Sequence, residues 1–160
     1  MAKTVKSWQE KLTDSKDLPR VVKLTPKLAR RWGAKPNDTL LVPAPIEVDE
    51  VMKRVPDGSL TTINEVRTVL AKKHGANLCC PITTGIFARI AAGAAEEAAK
   101  QGKKNITPYW RTLKAGGEIN PKYPGGVEYQ KELLEKEGHR IIKKGERFLV
   151  LDYEKQLAKL

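Results

Sequence analysis

Apolar positions come in short bursts along this chain, and their spacing changes from segment to segment. Residues 1–20 are polar, with Trp8 and Leu12 as candidate anchors. Val21–Leu24 is an apolar run too short for a helix and predicts a strand. Thr25-Pro26 then opens a helix, with the threonine as cap and the proline in the first turn. That helix runs to Trp32 and stops at Gly33. Leu40-Leu41-Val42 predicts a second strand, and a helix over Ile46–Val55 ends at Pro56-Asp57-Gly58.

From Thr62 the period becomes helical. Thr62-Ile63-Asn64-Glu65 has the form of a capping box, and Ile63, Val66, Val69 and Leu70 then share one face until Gly75. A loop over Ala76–Ile82 leads to a second helix, with Thr83 or Thr84 as its cap. Ile86, Phe87, Ile90, Ala91 and Ala94 are expected to face inward, and the helix to end near Gly102. The pair reads either as a helix-turn-helix or as an ordinary helical hairpin. Its second member carries the run Ala88-Arg89-Ile90-Ala91-Ala92-Gly93-Ala94-Ala95. Small residues let a helix lie close against another helix or against a nucleic-acid groove, and Arg89 is the one cation in the run. Turns at Lys114–Gly117 and Tyr123–Gly126 precede a helix over Val127–Glu137, stopped by Gly138. His139–Lys143 and Arg147–Leu151 flank Lys144-Gly145-Glu146 as a hairpin, and a short helix over Tyr153–Leu160 closes the chain. The expected fold class is mainly α with small β elements. It comprises a winged helix-turn-helix-like domain over 46–160 and an N-terminal extension over 1–45 holding a small strand-helix-strand unit.

Composition narrows the classes of function. A chain of 160 residues with 40% apolar content builds one good core rather than remaining disordered. It has no apolar run of membrane-spanning length, so no membrane is expected. The charged N-terminus does not read as a secretory signal. The only cysteines, Cys79 and Cys80, are adjacent and make no disulfide framework. A reducing compartment fits, with cytoplasm as the expectation (nucleoid-associated in a prokaryote). Thirty basic residues against nineteen acidic give a net charge of +11. That excess favours polyanionic partners through counterion release, although surplus lysine also serves solubility. Between Lys100 and Gly126 lie Lys100, Lys103, Lys104, Arg111, Lys114 and Lys122, with Glu118 the lone acid. Tyr109, Trp110 and Tyr123 are interleaved with them. Cations contact phosphates and aromatic rings stack on exposed bases.

Several segments together carry a family pattern. Val55-Pro56-Asp57-Gly58-Ser59-Leu60-Thr61-Thr62 is similar to P-x-G-x-V-[ST]-[ST]. Ala88-Arg89-Ile90-Ala91-Ala92-Gly93-Ala94 is similar to A-R-x-x-G-x-A. Pro108-Tyr109-Trp110-Arg111 stands where P-C-H-R belongs, followed by Tyr123-Pro124-Gly125-Gly126 for Y-x-G-G and by Lys131–Gly138 with its Leu-Leu pair and Glu-Gly end. In this order, over about residues 50–140, the chain resembles the DNA-binding domain of the O6-alkylguanine-DNA alkyltransferases. The resemblance implies double-stranded DNA as partner, with alkylated guanine as the lesion. It also implies a repair protein recruited to the complex, a monomer, and no cofactor or metal.

The departures bear on chemistry. In that family a cysteine thiolate accepts the alkyl group and a neighbouring histidine, linked to a glutamate, draws off its proton. Here Tyr109 replaces the cysteine and Trp110 the histidine, while Glu137 keeps the glutamate position. A phenol with a pKa of about 10 is a poor nucleophile at neutral pH, so transfer chemistry is expected to be absent. The family's nucleotide-turning tyrosine is matched by Ile63, and its groove arginine by Arg89, or by Thr84 if counted from the helix start. The chain is similar to alkyltransferase-like proteins that bind alkylated DNA without repairing it. Expected DNA contacts are Thr83, Thr84, Arg89, Lys103, Lys104 and Lys114. A base pocket is expected from Pro108, Tyr109, Trp110, Arg111 and Tyr123, unless the rings simply fill the vacated cavity as core. Arg111 is expected to hold the loop by hydrogen bonds. Two alternatives remain open: a regulatory winged-helix module without damage recognition, and an enzyme using Cys79, Cys80 or another reaction on a flipped base. Structural thiols are the plainer reading of the two cysteines.

Overall fold

The computed structural model describes residues 6–160. The N-terminal segment forms α1 (Trp8–Thr13), capped by Ser7, and then β1 (Arg20–Lys23). It continues with α2 (Pro26–Arg31), capped by Thr25 with Pro26 in the first turn, and β2 (Thr39–Val42). β1 and β2 pair antiparallel, from Arg20 with Val42 to Lys23 with Thr39. β2 also pairs in parallel with β4 (Leu78–Cys79), which ties the N-terminal strands to the helical pair. Leu41 of β2 is fully buried in the main core, and α1 lies on the long helix α5 (Pro81–Lys100), so residues 6–45 are built into the body of the molecule.

The centre is α3 (Pro45–Lys53), α4 (Ile63–Lys73) and α5 (Pro81–Lys100). Val48, Val51 and Met52 of α3 meet Val66 and Leu70 of α4 and Ala88, Ala91, Ala92 and Ala95 of α5. Alanines at this spacing let α5 approach its neighbours closely, and Gly93 carries the idea furthest: a Cβ there would overlap the Trp8 indole. The small-residue run is therefore taken up inside the protein by α1 and α3.

Three details of the pair differ from the sequence expectation. The loop over 76–82 is shorter than expected. β4 forms within it, and the helix begins at Pro81 with Cys80 as its cap rather than at Thr83 or Thr84. Proline lacks an N–H and has φ preset, so the first helical position suits it. The buried face of α5 then runs through Thr84, Ala88, Ala91, Ala92 and Ala95. Ile86 falls on the opposite side and is exposed, contrary to its expected inward orientation, while Ile90 is half-buried. At Thr62 the capping box takes another form: its hydroxyl bonds the Glu65 carboxylate and not the backbone.

The third part packs on the same body. β3 (Thr61–Thr62) pairs in parallel with β5 (Thr112–Leu113). α6 (Gly126–Lys136) follows, and then the expected hairpin of β6 (Ile141–Lys144) and β7 (Arg147–Val150). Leu60, Leu113, Ile119, Leu134 and Val150 form a second core beneath that hairpin. The closing helix is shorter than expected, a single 3-10 turn over Tyr153–Gln156, after which Leu157 bridges to Leu60. Among the described residues, no helix is long and apolar enough to cross a membrane.

Candidate nucleic-acid interface

The segment standing where P-C-H-R belongs is a 3-10 turn, Tyr109–Arg111, set between α5 and α6. Tyr109 points inward and is fully buried. Its hydroxyl donates to Glu96 at 2.7 Å, and its ring meets Trp110 and Tyr123 edge-on, each at 5.4 Å between centroids. Burial, reinforced by the hydrogen bond to Glu96, pushes the phenol well above its ordinary pKa. Burial does the same to Tyr123. Two of the expected pocket residues are thus core: the larger tyrosine ring fills space that a cysteine would leave open, and neither Tyr109 nor Tyr123 offers a face to a base. Pro108 and Trp110 are half-buried beside them.

Glu137 is held by two side chains. Arg111 donates to its carboxylate from Nε at 2.9 Å and from Nη2 at 2.8 Å, and Trp110 Nε1 adds a third bond at 2.8 Å. Arg111 Nη1 also donates to the Val55 carbonyl at 2.8 Å, which fastens this turn to the end of α3. Burial pushes the Glu137 carboxyl up, but the bonds from Arg111 and Trp110 outweigh it and hold the group below the usual carboxylate range. Gln130 completes the frame by donating to the Trp110 carbonyl at 3.1 Å and accepting from the Asn120 N–H at 3.0 Å. The Glu137 carboxylate is charged and taken up by Arg111 and Trp110, while His139, two residues further on, is buried and makes no hydrogen bond to it through Nε2. Arg111 holds the loop, as its expected role required.

The expected DNA contacts divide. Thr84 is buried, donating to the Cys80 carbonyl at 2.6 Å and lying 3.3 Å from Cys79 Sγ, so it cannot meet a phosphate. Thr83 is half-buried. Arg89, Lys103, Lys104 and Lys114 are exposed, and Lys114 lies 3.5 Å from Glu118. Arg89 lies over the Trp8 ring, 5.8 Å from its centroid, with Lys11 on the same ring at 4.5 Å. Of the two candidates for the groove position, Arg89 is the one that reaches solvent. Cys79 and Cys80 are both buried, and burial pushes the Cys79 thiol up, away from the thiolate form that attacks electrophiles. A cleft of about 570 Å³ beside β4 is lined by Asn64, Arg67, Thr68, Lys72 and Asn77 among others. Arg67 spans one wall, donating to the Cys79 carbonyl at 2.8 Å. Among the described residues, no cluster of ligating side chains could hold a metal ion.

Sequence reasoning missed Trp8 and Glu96 as partners of the site residues. Neither has a local signal, because each meets its partner only after α5 is docked. The exposed start of α5 was hidden by the assumption that Ile86 faces inward.

With this geometry in place, the fold is the mainly-α alkyltransferase-like fold. It is shared with S. pombe ATL, solved in complex with DNA, at a TM-score of 0.51 and 19% identity over 72% of this chain and 94% of that one. A second structure, S. pombe Atl1 with damaged DNA containing O6-carboxymethylguanine, superposes at a TM-score of 0.49, again with 19% identity, 72% of this chain and 94% of that one. No protein-family model and no curated protein matches the chain.

Proposed function

We propose that this chain is a non-catalytic DNA-binding protein that recognises alkylated or distorted duplex DNA. The observation that carries the non-catalytic part is the relay position itself. Tyr109 is buried with its proton held, and Glu137 is tied to Arg111 and Trp110. The net charge of +11 and the exposed lysines after α5 support a polyanionic partner. The likeness to the DNA-bound S. pombe fold supports duplex DNA as that partner. In this reading α4 and α5 act as the helix-turn-helix and β6–β7 as its wing. A repair protein is the candidate for a second partner.

The test compares binding to a plain duplex and to one carrying a single O6-alkylguanine, at fixed salt. Tighter binding to the modified duplex, with no change in intact protein mass, is the expected result. A mass gain lost in Cys79→Ser or Cys80→Ser would make the protein an enzyme instead. A specific observation favours one second reading: with Tyr109 and Tyr123 buried, the aromatic cluster offers no open pocket. A protein of this kind would read duplex shape without capturing a base, and its affinity would be equal for the two duplexes.

A further inference from the structure

The basic residues of the chain are not spread evenly. Residues 18–37 hold six cations, Arg20, Lys23, Lys27, Arg30, Arg31 and Lys35, and no acidic residue. Against a net charge of +11, this one stretch carries more than half of the excess. All six side chains are exposed. Arg20 is paired with Asp17 at 3.0 Å, and among the described residues the other five make no ion pair. The stretch is a folded platform rather than a tail. It comprises β1 and α2, and its Leu24 and Ala29 close a small core with Leu40 and Cys80.

That platform is fixed beside the helix pair. β2 joins β1 to β4, the short strand between α4 and α5. The Cys80 N–H donates to the Leu41 carbonyl at 2.9 Å, and the Thr39 N–H donates to Asn77 Oδ1 at 2.9 Å. From there α5 runs for 20 residues, a length of about 30 Å, before Lys103 and Lys104 are reached. The six cations and those two lysines therefore stand toward opposite ends of α5 and form separate surfaces.

The chemistry of the platform selects its partner. Protein interfaces bury an apolar centre depleted in lysine. Here the exposed apolar side chains of β1, Val21 and Val22, point to opposite faces of the strand and make no such centre. A second copy would set the same cations against each other. Pro19 and the cations at both ends of β1 oppose the addition of a further strand. A phosphate backbone, by contrast, offers closely spaced anions and needs no apolar centre. We propose that the β1–α2 platform is a second nucleic-acid surface, which grips the sugar-phosphate backbone of the duplex toward the opposite end of α5 from Lys103 and Lys104. It adds affinity and reads no base. The inference rests on the DNA-binding reading above and adds a surface outside the helix pair and its wing.

The test is a triple variant of the full chain, Lys27→Ala with Arg30→Ala and Arg31→Ala. Binding is read by fluorescence anisotropy over a salt series, on plain and O6-alkylguanine duplexes of about 30 base pairs, roughly three helical turns. The slope of log K against log salt should become shallower by about 2.7, and binding at low salt should weaken about ten-fold or more. Both duplexes should respond alike, and the melting temperature should stay put because the three side chains are exposed. The charge-keeping variant Lys27→Arg with Arg30→Lys and Arg31→Lys should hold the wild-type slope, since a phosphate accepts either cation. Adding Lys103→Ala and Lys104→Ala to the triple variant should sum the slope changes, as expected of sites more than about 10 Å apart. Wild-type slope and affinity in the triple variant on both duplexes would overturn the second surface and leave the DNA-binding reading standing. Wild-type binding to phosphatidylserine–phosphatidylcholine vesicles, lost in the triple variant while its duplex affinity is intact, would also overturn it and turn the platform toward a membrane. If the wild type binds neither duplex, the DNA-binding reading falls and this inference with it.

Discussion

At position 109 a single side chain sets how the turn between α5 and α6 packs. A tyrosine there occupies more space than a cysteine, and the protein accommodates it by turning the ring into the core against Trp110 and Tyr123. Tyr109→Ala should therefore behave as a core truncation, costing about 3–5 kcal/mol in denaturant unfolding. Tyr109→Phe removes only the bond to Glu96 and should cost about 1 kcal/mol. A Tyr109→Ala variant of unchanged stability that loses only lesion preference would instead place the ring in a base pocket. The same scale governs Glu137. Its bonds to Arg111 and Trp110 hold the 3-10 turn against α6, and the Arg111–Glu137 pair is largely withdrawn from solvent. Glu137→Ala leaves the Arg111 guanidinium without its partner and should destabilise the fold by about 3 kcal/mol. A loss confined to DNA binding, with the melt unchanged, would contradict that structural assignment.

Among the elements, the docking of α1 on α5 brings Trp8 against Gly93, beside a hydrogen bond from the Gln9 N–H to Glu97. Gly93→Ala should cost about 1–3 kcal/mol by overpacking against the indole. With Trp8→Ala already present the same change should be nearly neutral, so a double-mutant cycle read by chemical denaturation should give a large coupling. Additive effects would show that α1 does not sit where the structure has it. This contact also marks the limit of what could be read from the sequence. β1, α2 and β2 were legible because Thr25-Pro26, Gly33 and Pro43 punctuate them, and the β6–β7 hairpin because Lys144-Gly145-Glu146 does. β4 was not, since two residues carry no period and form a strand only by pairing with Leu40 and Leu41. The start of α5 was misplaced because two threonines look like caps, although Pro81 carried the stronger signal. At the site, Arg111's holding role and the altered relay could be read from the motif order. The Trp8–Arg89 and Tyr109–Glu96 contacts could not, because they join residues brought together only by tertiary packing.

For the whole molecule, two solution properties follow from the distribution of charge. The first is acid sensitivity. Burial lowers the pKa of His139 below its ordinary 6.5, so the unfolded chain takes up that proton first. Stability should begin to fall as pH drops below about 6.5 and continue to the folded-state value. Glu137 and Glu47 have lowered values in the fold, and their contribution is complete above about 4.5 and lost as pH falls further. Melting temperature against pH should therefore decline in two stages, and His139→Gln should remove the upper one. An upper stage that survives that substitution would assign it to another group.

The second property is the salt dependence of the proposed DNA binding. The protein carries an excess of eleven positive charges, and Lys103 and Lys104 follow α5 with their side chains in solvent. Each lysine that neutralises a phosphate releases a condensed counterion, which makes log K fall with log salt. Lys103→Ala and Lys104→Ala should each flatten that slope by about 0.9 and weaken binding to plain and modified duplexes equally. Lys114→Ala should have a smaller effect, because Glu118 already lies 3.5 Å from its ammonium and competes with a phosphate for it. Lysine variants that shift affinity without changing the slope would mean that the segment after α5 makes no phosphate contact.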